Sequence, residues 1–524
     1  MTSGYTERAA AEIAEPQVVS GAGPECLLSL NQERVLLSQE VARRKGVQVP
    51  GDAIHVPLTI SGPLDLPALE KTLHDVIRRH NALRNYTVRN ATLAQTEWES
   101  SFAAFARTGI VPRGLYLQKV VPSAELKFHR HDFRRLKPKP QAEAIRLICQ
   151  KEAATPLENS TPLGLRVNLV RLDEEKHLLI AAMDHRNSDG WSAKLLRREI
   201  EQLYRHYAYG EEVPATPRMS YLEFTAWQNG ALASSSFDQD LAYWEEHWRE
   251  FGSARVGVAD LPFARSVRSG AGDPFQTERL ALNRDETASL RDAARRSRAT
   301  LHMLFLATFI TILRHYTGKT KVAVWSHCLN RTAPETTDVI GFFINTHLMG
   351  FDLSEDLVYR DLLKSVAARQ LETLKHQQMP LPHLWRTLRC IPRFADSGIM
   401  LDYLIEDPQV LNSPGASGSV TFTKTTFEGQ TPARMASIGV YVTDRGDELS
   451  IRSDYVASLY PSEAVKDMLG DVKDVALAFS ANPDVRISDF AAIAGRYADR
   501  PRMPRTEMSE FIVLGSDRIP TRTS

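Results

Sequence analysis

Asp184-His185-Arg186-Asn187-Ser188-Asp189-Gly190-Trp191-Ser192 is the stretch from which the fold is read. The run before it, Lys176-His177-Leu178-Leu179-Ile180-Ala181-Ala182-Met183, is short and nearly continuous in apolar residues, as a strand buried on both faces is. The run after it, 193–207, sets Leu195, Leu196, Ile200 and Leu203 on one face at helical spacing, with Arg and Glu opposite. The spacing predicts a strand, a polar loop and a helix, hence an α/β unit. The loop also carries chemistry. Histidine is the side chain whose ordinary titration lies nearest neutral pH, so His185 is a candidate to take a proton from an attacking amine or hydroxyl and return it to a leaving group. Asp189, a turn away, can hold the loop by pairing with an arginine, and Gly190 leaves the backbone uncrowded, with room for a substrate channel. Many loops contain His, Asp and Gly, so a satisfied structural histidine remains the competing reading of these residues alone.

Composition excludes several classes. At 524 residues the chain is long enough for two domains with full cores, and a hydrophobic content of 43% suits a globular protein. Lys+Arg and Asp+Glu both total 64, so no global field argues for nucleic acid or a membrane as partner. Cys26, Cys149, Cys328 and Cys390 lie far apart with no Cys-x-x-Cys pair, which indicates neither a zinc site nor a disulfide framework. No apolar run approaches the roughly 20 residues of a membrane span, and the polar start lacks a signal-peptide core. The expectation is a cytoplasmic protein with reduced thiols.

Outward from the loop, residues 1–24 read as a flexible leader. Helices are expected over 28–44, 66–79 and 141–154, with Asp65 capping the second, and strands over 53–60, 165–171 and 177–183, with 115–128 extended. The polar and aromatic stretch 89–113, with Trp98, Phe102 and Phe105, reads as an insertion: a helical decoration of the surface, or else a wall of an acceptor pocket or a partner surface. The proline-bearing 211–217 reads as a linker. Past it come Trp-rich helices over 221–228 and 237–251, read as packing at a lobe junction, then paired helices over 284–296 and 301–315. A buried strand over 321–326 leads to Arg331, and a helix follows over 358–377. Strands over 399–405, 437–442 and 449–455 precede a closing helix over 461–479. Residues 496–524 read as a loose polar tail. No internal sequence repeat is visible.

The central stretch resembles the His-His-x-x-x-Asp-Gly motif of condensation domains from nonribosomal peptide synthetases, in the chloramphenicol acetyltransferase-like acyltransferase superfamily. Further matches fall in the family's order. Ser29-Leu30-Asn31-Gln32-Glu33-Arg34 and Arg79-His80-Asn81-Ala82-Leu83-Arg84 resemble its first two motifs. Tyr221 to Gln228, followed by Tyr243-Trp244, resembles the fourth; Ile340-Gly341-Phe342-Phe343-Ile344-Asn345-Thr346 the fifth; and His376-Gln377-Gln378-Met379-Pro380, more loosely, the sixth.

The resemblance implies a mixed α/β (α+β) fold of two chloramphenicol acetyltransferase-like lobes, 25–212 and 213–495, in a V-shaped pseudo-dimer with the active site at the lobe junction. It implies catalytic roles for His185, Asp189 and Gly190, and supporting roles for Asp184, Trp191, Ser192, Arg331 and Asn345, with Arg331 pairing Asp189 across the lobes. It implies no metal and no bound cofactor. The donor is then an acyl or aminoacyl thioester on the phosphopantetheine arm of an acyl or peptidyl carrier protein, the acceptor is a small-molecule amine or alcohol, and the enzyme is a monomer.

One departure stands out: the first His of the family pair is Asp184. A carboxylate can accept hydrogen bonds in the same place. Ionised, it would favour the charged form of a neighbouring imidazole, although adjacent residues on a strand point to opposite faces. Two alternatives follow. One is an acyl-CoA-dependent acyltransferase of the same superfamily, whose plant-type Asp-Phe-Gly-Trp-Gly motif is not found in this sequence. The other is a non-catalytic recruitment domain, which Asp184 keeps open.

Overall fold

The computed structural model describes residues 25–46, 53–124, 126–155, 165–265, 275–388, 398–406, 420–425 and 436–495. The expected leader and tail lie outside the described residues, as does Cys390. In chain order the strands are β1 (Glu25–Leu27), β2 (Ala53–Ser61), β3 (Asn85–Arg89), β4 (Tyr116–Val120), β5 (Lys127–Asp132), β6 (Leu165–Asp173) and β7 (Lys176–Asp184) in the first half. The second half adds β8 (Phe275–Ala281), β9 (Lys321–Cys328), β10 (Asn345–Asp352), β11 (Ile399–Ile405), β12 (Thr421–Lys424), β13 (Ile438–Asp444) and β14 (Leu449–Val456).

A five-stranded sheet runs β12-β2-β7-β6-β5 and a six-stranded sheet runs β10-β9-β11-β13-β14-β8. In the first, β7 is central and antiparallel to both β2 and β6, and only its first residue is exposed. Leu179, Ala181 and Met183 join one core while Leu178 and Ile180 join another. Burial on both faces is the physical reason this run shows no polar alternation. The helix after the loop, Gly190–Tyr209, lays Leu195, Leu196, Ile200 and Leu203 into the first of those cores.

One face of the six-stranded sheet, including Val322 and Val324 of β9, packs on the helices Arg284–Arg296, Leu301–Thr317, Tyr359–Lys375 and Ser462–Ala481. The Leu301–Thr317 helix is almost wholly apolar because it is buried nearly all round, and Thr300 and Gly318 cap its two ends. The other face carries Trp325, Met400 and Leu348 against Trp244, Trp248 and Leu384.

Two features link the halves around the site. Short β12, from the second half, pairs antiparallel with β2 from the first, with Thr421 opposite Ser61 and Lys424 opposite Leu58. Gly341, whose backbone lies so close to the Tyr221 ring that a Cβ there would come within 2.2 Å of it, also donates its N–H to Ser192 Oγ of the first half at 3.0 Å. Elsewhere, the 89–113 stretch forms the Gln95–Thr108 helix, which buries Trp98, Phe102 and Phe105 on Leu37 and Val41 of the Leu30–Arg44 helix. The aromatic side chains of this helix are thus spent on packing.

Candidate active site

The loop begins where β7 ends and closes on its own backbone. Asn187 N–H donates to the Asp184 carbonyl at 3.0 Å, and Ser188 Oγ donates to the same oxygen at 2.7 Å. Within that turn His185 is partly buried, and its Nδ1 lies 2.9 Å from the Ser188 carbonyl oxygen. A carbonyl can only accept, so Nδ1 carries the proton and the neutral ring keeps its lone pair on Nε2. Nε2 has no hydrogen-bond partner among the described residues. The ring's other support is the edge of Phe342, with ring centres 5.2 Å apart. This is the arrangement a general base needs: one nitrogen fixed, the other presented.

The Asp184 side chain bonds to Arg186 rather than to His185. Its carboxylate, 5% exposed, takes the guanidinium of Arg186 in a two-pronged contact, with Nε to Oδ1 at 2.9 Å and Nη2 to Oδ2, and also accepts the Arg186 backbone N–H at 2.8 Å. The charge that replaces the family's first histidine is therefore neutralised two residues on, and the imidazole's tautomer is set by Ser188 instead.

Asp189 is the most heavily bonded side chain of the loop. It caps the Gly190–Tyr209 helix by accepting Ser192 N–H at 2.8 Å and Ser192 Oγ–H at 2.8 Å on Oδ1. Its Oδ2 accepts the backbone N–H groups of Phe343 at 3.1 Å and Ile344 at 3.3 Å. Arg331 Nη2 reaches Oδ1 at 3.1 Å and Oδ2 at 3.3 Å. Arg331 in turn holds the Thr336 and Val339 carbonyls through Nη1 and lies over the Phe343 ring at 4.0 Å. Burial pushes the Arg331 guanidinium down from its ordinary value, and the Asp189 carboxylate opposes that shift. Asp189 thus braces the loop from beneath.

Gly190 opens the helix, is exposed, and has no atom within 4 Å of where a Cβ would sit. Its amide is one of the first-turn donors a helix cannot satisfy by itself, at the positive end of the helix dipole. Trp191 donates Nε1–H to the Thr337 carbonyl at 2.8 Å, and Ser192 Oγ accepts from Gly341 N–H at 3.0 Å, so both tie the helix start to the 334–344 segment. Asn345 is not part of this cluster. Its amide is committed to the Gln377 and Met379 carbonyls at 3.0 and 2.6 Å, and it supports the site only by fixing the start of β10.

The structure adds residues for which the sequence suggested no role. Gln32 Nε2 and Asn85 Nδ2 both donate to Asn187 Oδ1, at 3.2 and 3.1 Å, so the first motif and the strand after the second hold the loop from the side. Asn31 Nδ2 donates to the Ile344 carbonyl at 3.2 Å, and Tyr221 O–H to the Phe342 carbonyl at 2.9 Å. Gln32, Asn31 and Tyr221 lie inside the motifs read from the sequence. Asn85 lies one residue beyond its motif and carried no signal. No group of three or more potential metal ligands occurs among the described residues, and no helix there is long and apolar enough to cross a membrane.

Residues 107–496 match the family model described as the condensation domain. The chain is 26% identical over 435 residues to chondramide synthase cmdD of Chondromyces crocatus, covering 83% of this chain and 10% of that protein. It is 30% identical over 356 residues to phosphinothricin tripeptide synthetase PhsC of Streptomyces viridochromogenes, covering 67% of this chain and 30% of that protein. It therefore spans less than a third of the length of either relative. Among solved structures, the condensation domain of the monacolin K polyketide synthase MokA superposes with a TM-score of 0.69 at 18% identity, covering 88% of this chain and 99% of that one. The teicoplanin X-domain, solved in complex with OxyB, gives 0.69 at 18% identity with 91% and 98% coverage. SgcC5 from Streptomyces globisporus, solved with a naphthyl-ethanediol, gives 0.68 at 20% identity with 88% and 99% coverage. At these identities the structural likeness speaks to the fold, which is the chloramphenicol acetyltransferase-like one expected from the motifs.

Proposed function

The chain belongs to the condensation-domain family of amide-forming acyltransferases, and from that premise we propose that it joins a carrier-bound thioester to a small amine or alcohol. The donor in this reading is an acyl or aminoacyl group on the phosphopantetheine arm of an acyl or peptidyl carrier protein. The lobes are 25–212 and 213–495, and the protein acts as a cytoplasmic monomer.

The observation that carries the reading is the state of His185: Nδ1–H is spent on Ser188 and Nε2 is free to accept. The acceptor's N–H or O–H points at that nitrogen. As the new C–N or C–O bond forms, the thioester carbonyl becomes an oxyanion, and the amide of Gly190 at the helix N-terminus supplies positive potential for it. Collapse breaks the C–S bond, and the proton taken by His185 leaves with the thiolate. General base catalysis contributes typically 10²–10⁴-fold, and holding both substrates together contributes more through effective molarities of about 10⁵–10⁸ M.

The test is a reconstituted condensation assay offering the same acyl group on a carrier protein and on coenzyme A, with His185→Ala in parallel. A loss of roughly 10²-fold or more in product with an unchanged melting curve is expected for the variant. Turnover near the parent's would overturn the catalytic role. Product from coenzyme A alone would favour the acyl-CoA-dependent alternative, and no product from any donor would favour a recruitment role.

A further inference from the structure

A pocket opens at the end of the five-stranded sheet that lies away from the His185 loop. It holds about 660 Å³, a volume suited to a small molecule. Its floor is the sheet itself: Leu169 and Arg171 of β6 and, opposite Arg171 in the ladder, His177 of β7. Pro63, Leu64 and Leu66 form an apolar lip where β2 runs into the Leu66–Arg79 helix, and residues 130–132 of the edge strand β5 close the other side. His177 stands at the start of the strand that ends at Asp184. Seven steps of about 3.3 Å separate the two residues, so the pocket lies roughly 23 Å from the His185 loop.

Two nitrogens of this floor are buried and unmatched. Arg171 spends Nη2 on the Glu174 carboxylate at 2.7 Å, and its Nε–H has no partner among the described residues. His177 is 7% exposed, and its Nδ1 equally lacks a partner there. A buried polar atom left unmatched costs free energy, and two of them on one pocket floor point to an occupant. The carboxylates around the pocket are largely spoken for. Arg134 takes both Asp132 oxygens, at 3.0 and 2.7 Å, and also reaches Glu174. Arg130 pairs with Glu70, Asp65 accepts Ala68 N–H at 2.9 Å as a helix cap, and Glu175 is exposed. The charges that act on the His177 ring are the guanidiniums of Arg171 and Arg134, which together with burial hold it below its ordinary value. The ring is thus neutral at pH 7, with one N–H that Nδ1 can carry, and it sits in a positive field.

We propose that this pocket is a second small-molecule site that binds an organic carboxylate, one oxygen accepting from Arg171 Nε–H and the other from His177 Nδ1–H, while a short apolar body covers Leu64, Leu66 and Leu169. An aryl or short-chain acid with a single negative charge fits this pattern. An ammonium group would meet a guanidinium at the floor, and inorganic phosphate would leave the apolar lip uncovered. No bond is made or broken in the pocket, and the site stands independently of the condensation reading.

The test is isothermal titration calorimetry on the full chain with benzoate, phenylacetate and hexanoate, against benzamide and inorganic phosphate, with Arg171→Met and His177→Phe in parallel. Arg171→Met keeps the aliphatic stem and leaves Glu174 its contact with Arg134, so it carries the comparison even if His177→Phe does not fold. Saturable binding of at least one carboxylate is expected, weakened about tenfold or more in each folded variant, whose ligand-free melting curve matches the parent's. The 15N resonances of His177 shift with that carboxylate while those of His185 stay still, which separates this pocket from the reacting site. Undiminished binding to Arg171→Met, no binding by any of the three carboxylates, or a response at His185 in place of His177 overturns the proposal. Benzamide binding as tightly as benzoate overturns the assignment of an anion, and phosphate binding as tightly overturns the need for an apolar body.

Discussion

Asp189 and Arg331, 142 residues apart in sequence, close a buried ion pair with Nη2 and Oδ1 at 3.1 Å and each side chain only 3% exposed. The same carboxylate caps a helix and accepts two amides from the 340–344 segment, so one side chain fixes the start of the Gly190–Tyr209 helix, the loop and the opposing wall.

Replacing Asp189 by Ala strands the Arg331 guanidinium and two backbone amides in an apolar setting. A loss of about 3–5 kcal/mol in unfolding free energy is expected, read from the denaturation midpoint. Asp189→Asn, which keeps an acceptor oxygen, should cost less. If Asp189→Ala unfolded at the parent's midpoint, the pair would have no structural weight.

Restoring the family's own residue should fail here. Asp184→His leaves Arg186, 6% exposed, without its carboxylate, and the variant should lose stability although it recreates a His-His sequence. Coupling Asp184→His with Arg186→Met should recover most of the loss, because the charge is removed together with its partner. A double variant no better than the single one would mean that the Asp184–Arg186 pair is not what the turn depends on.

Acid should weaken the second half through its buried histidines. Burial holds His347 and His247 down to about 4, whereas an unfolded histidine titrates near 6.5. Between those values the unfolded chain binds protons that the folded one refuses. Stability is therefore complete above about pH 6.5 and is lost as pH falls toward 4. Melting temperatures from pH 7.5 to 4.5 should show this slope, and His347→Phe should flatten it. A slope indifferent to that substitution would assign the acid sensitivity elsewhere.

Much of this was legible in the sequence where one physical signal dominated. Two-sided burial wrote β7 as an apolar run, helical spacing placed Leu195, Leu196, Ile200 and Leu203 inward, and Asp65 accepts Ala68 N–H at 2.9 Å as an N-cap should. Strands without such signals went unread. β12 is four residues, Thr-Phe-Thr-Lys, whose partner lies in the first half, and β10 begins inside a stretch read only as a motif. In the site, residue types pointed to His185, and the family resemblance to the Asp189–Arg331 pairing. The Asp184–Arg186 pairing and the Gln32–Asn187–Asn85 bracket depend on how a turn folds back, which pattern alone does not encode.

The pairing of β12 with β2 also has a consequence for how the chain is made. The N-terminal sheet leaves the ribosome with β2 as an open edge, and its closing strand is not synthesised until residues 421–424, some 360 positions later. Until then an unpaired ladder is available to any other extended segment. A nascent or truncated chain ending before residue 421 should therefore self-associate through β2, and completion of the C-terminal half is what seals the N-terminal half as well.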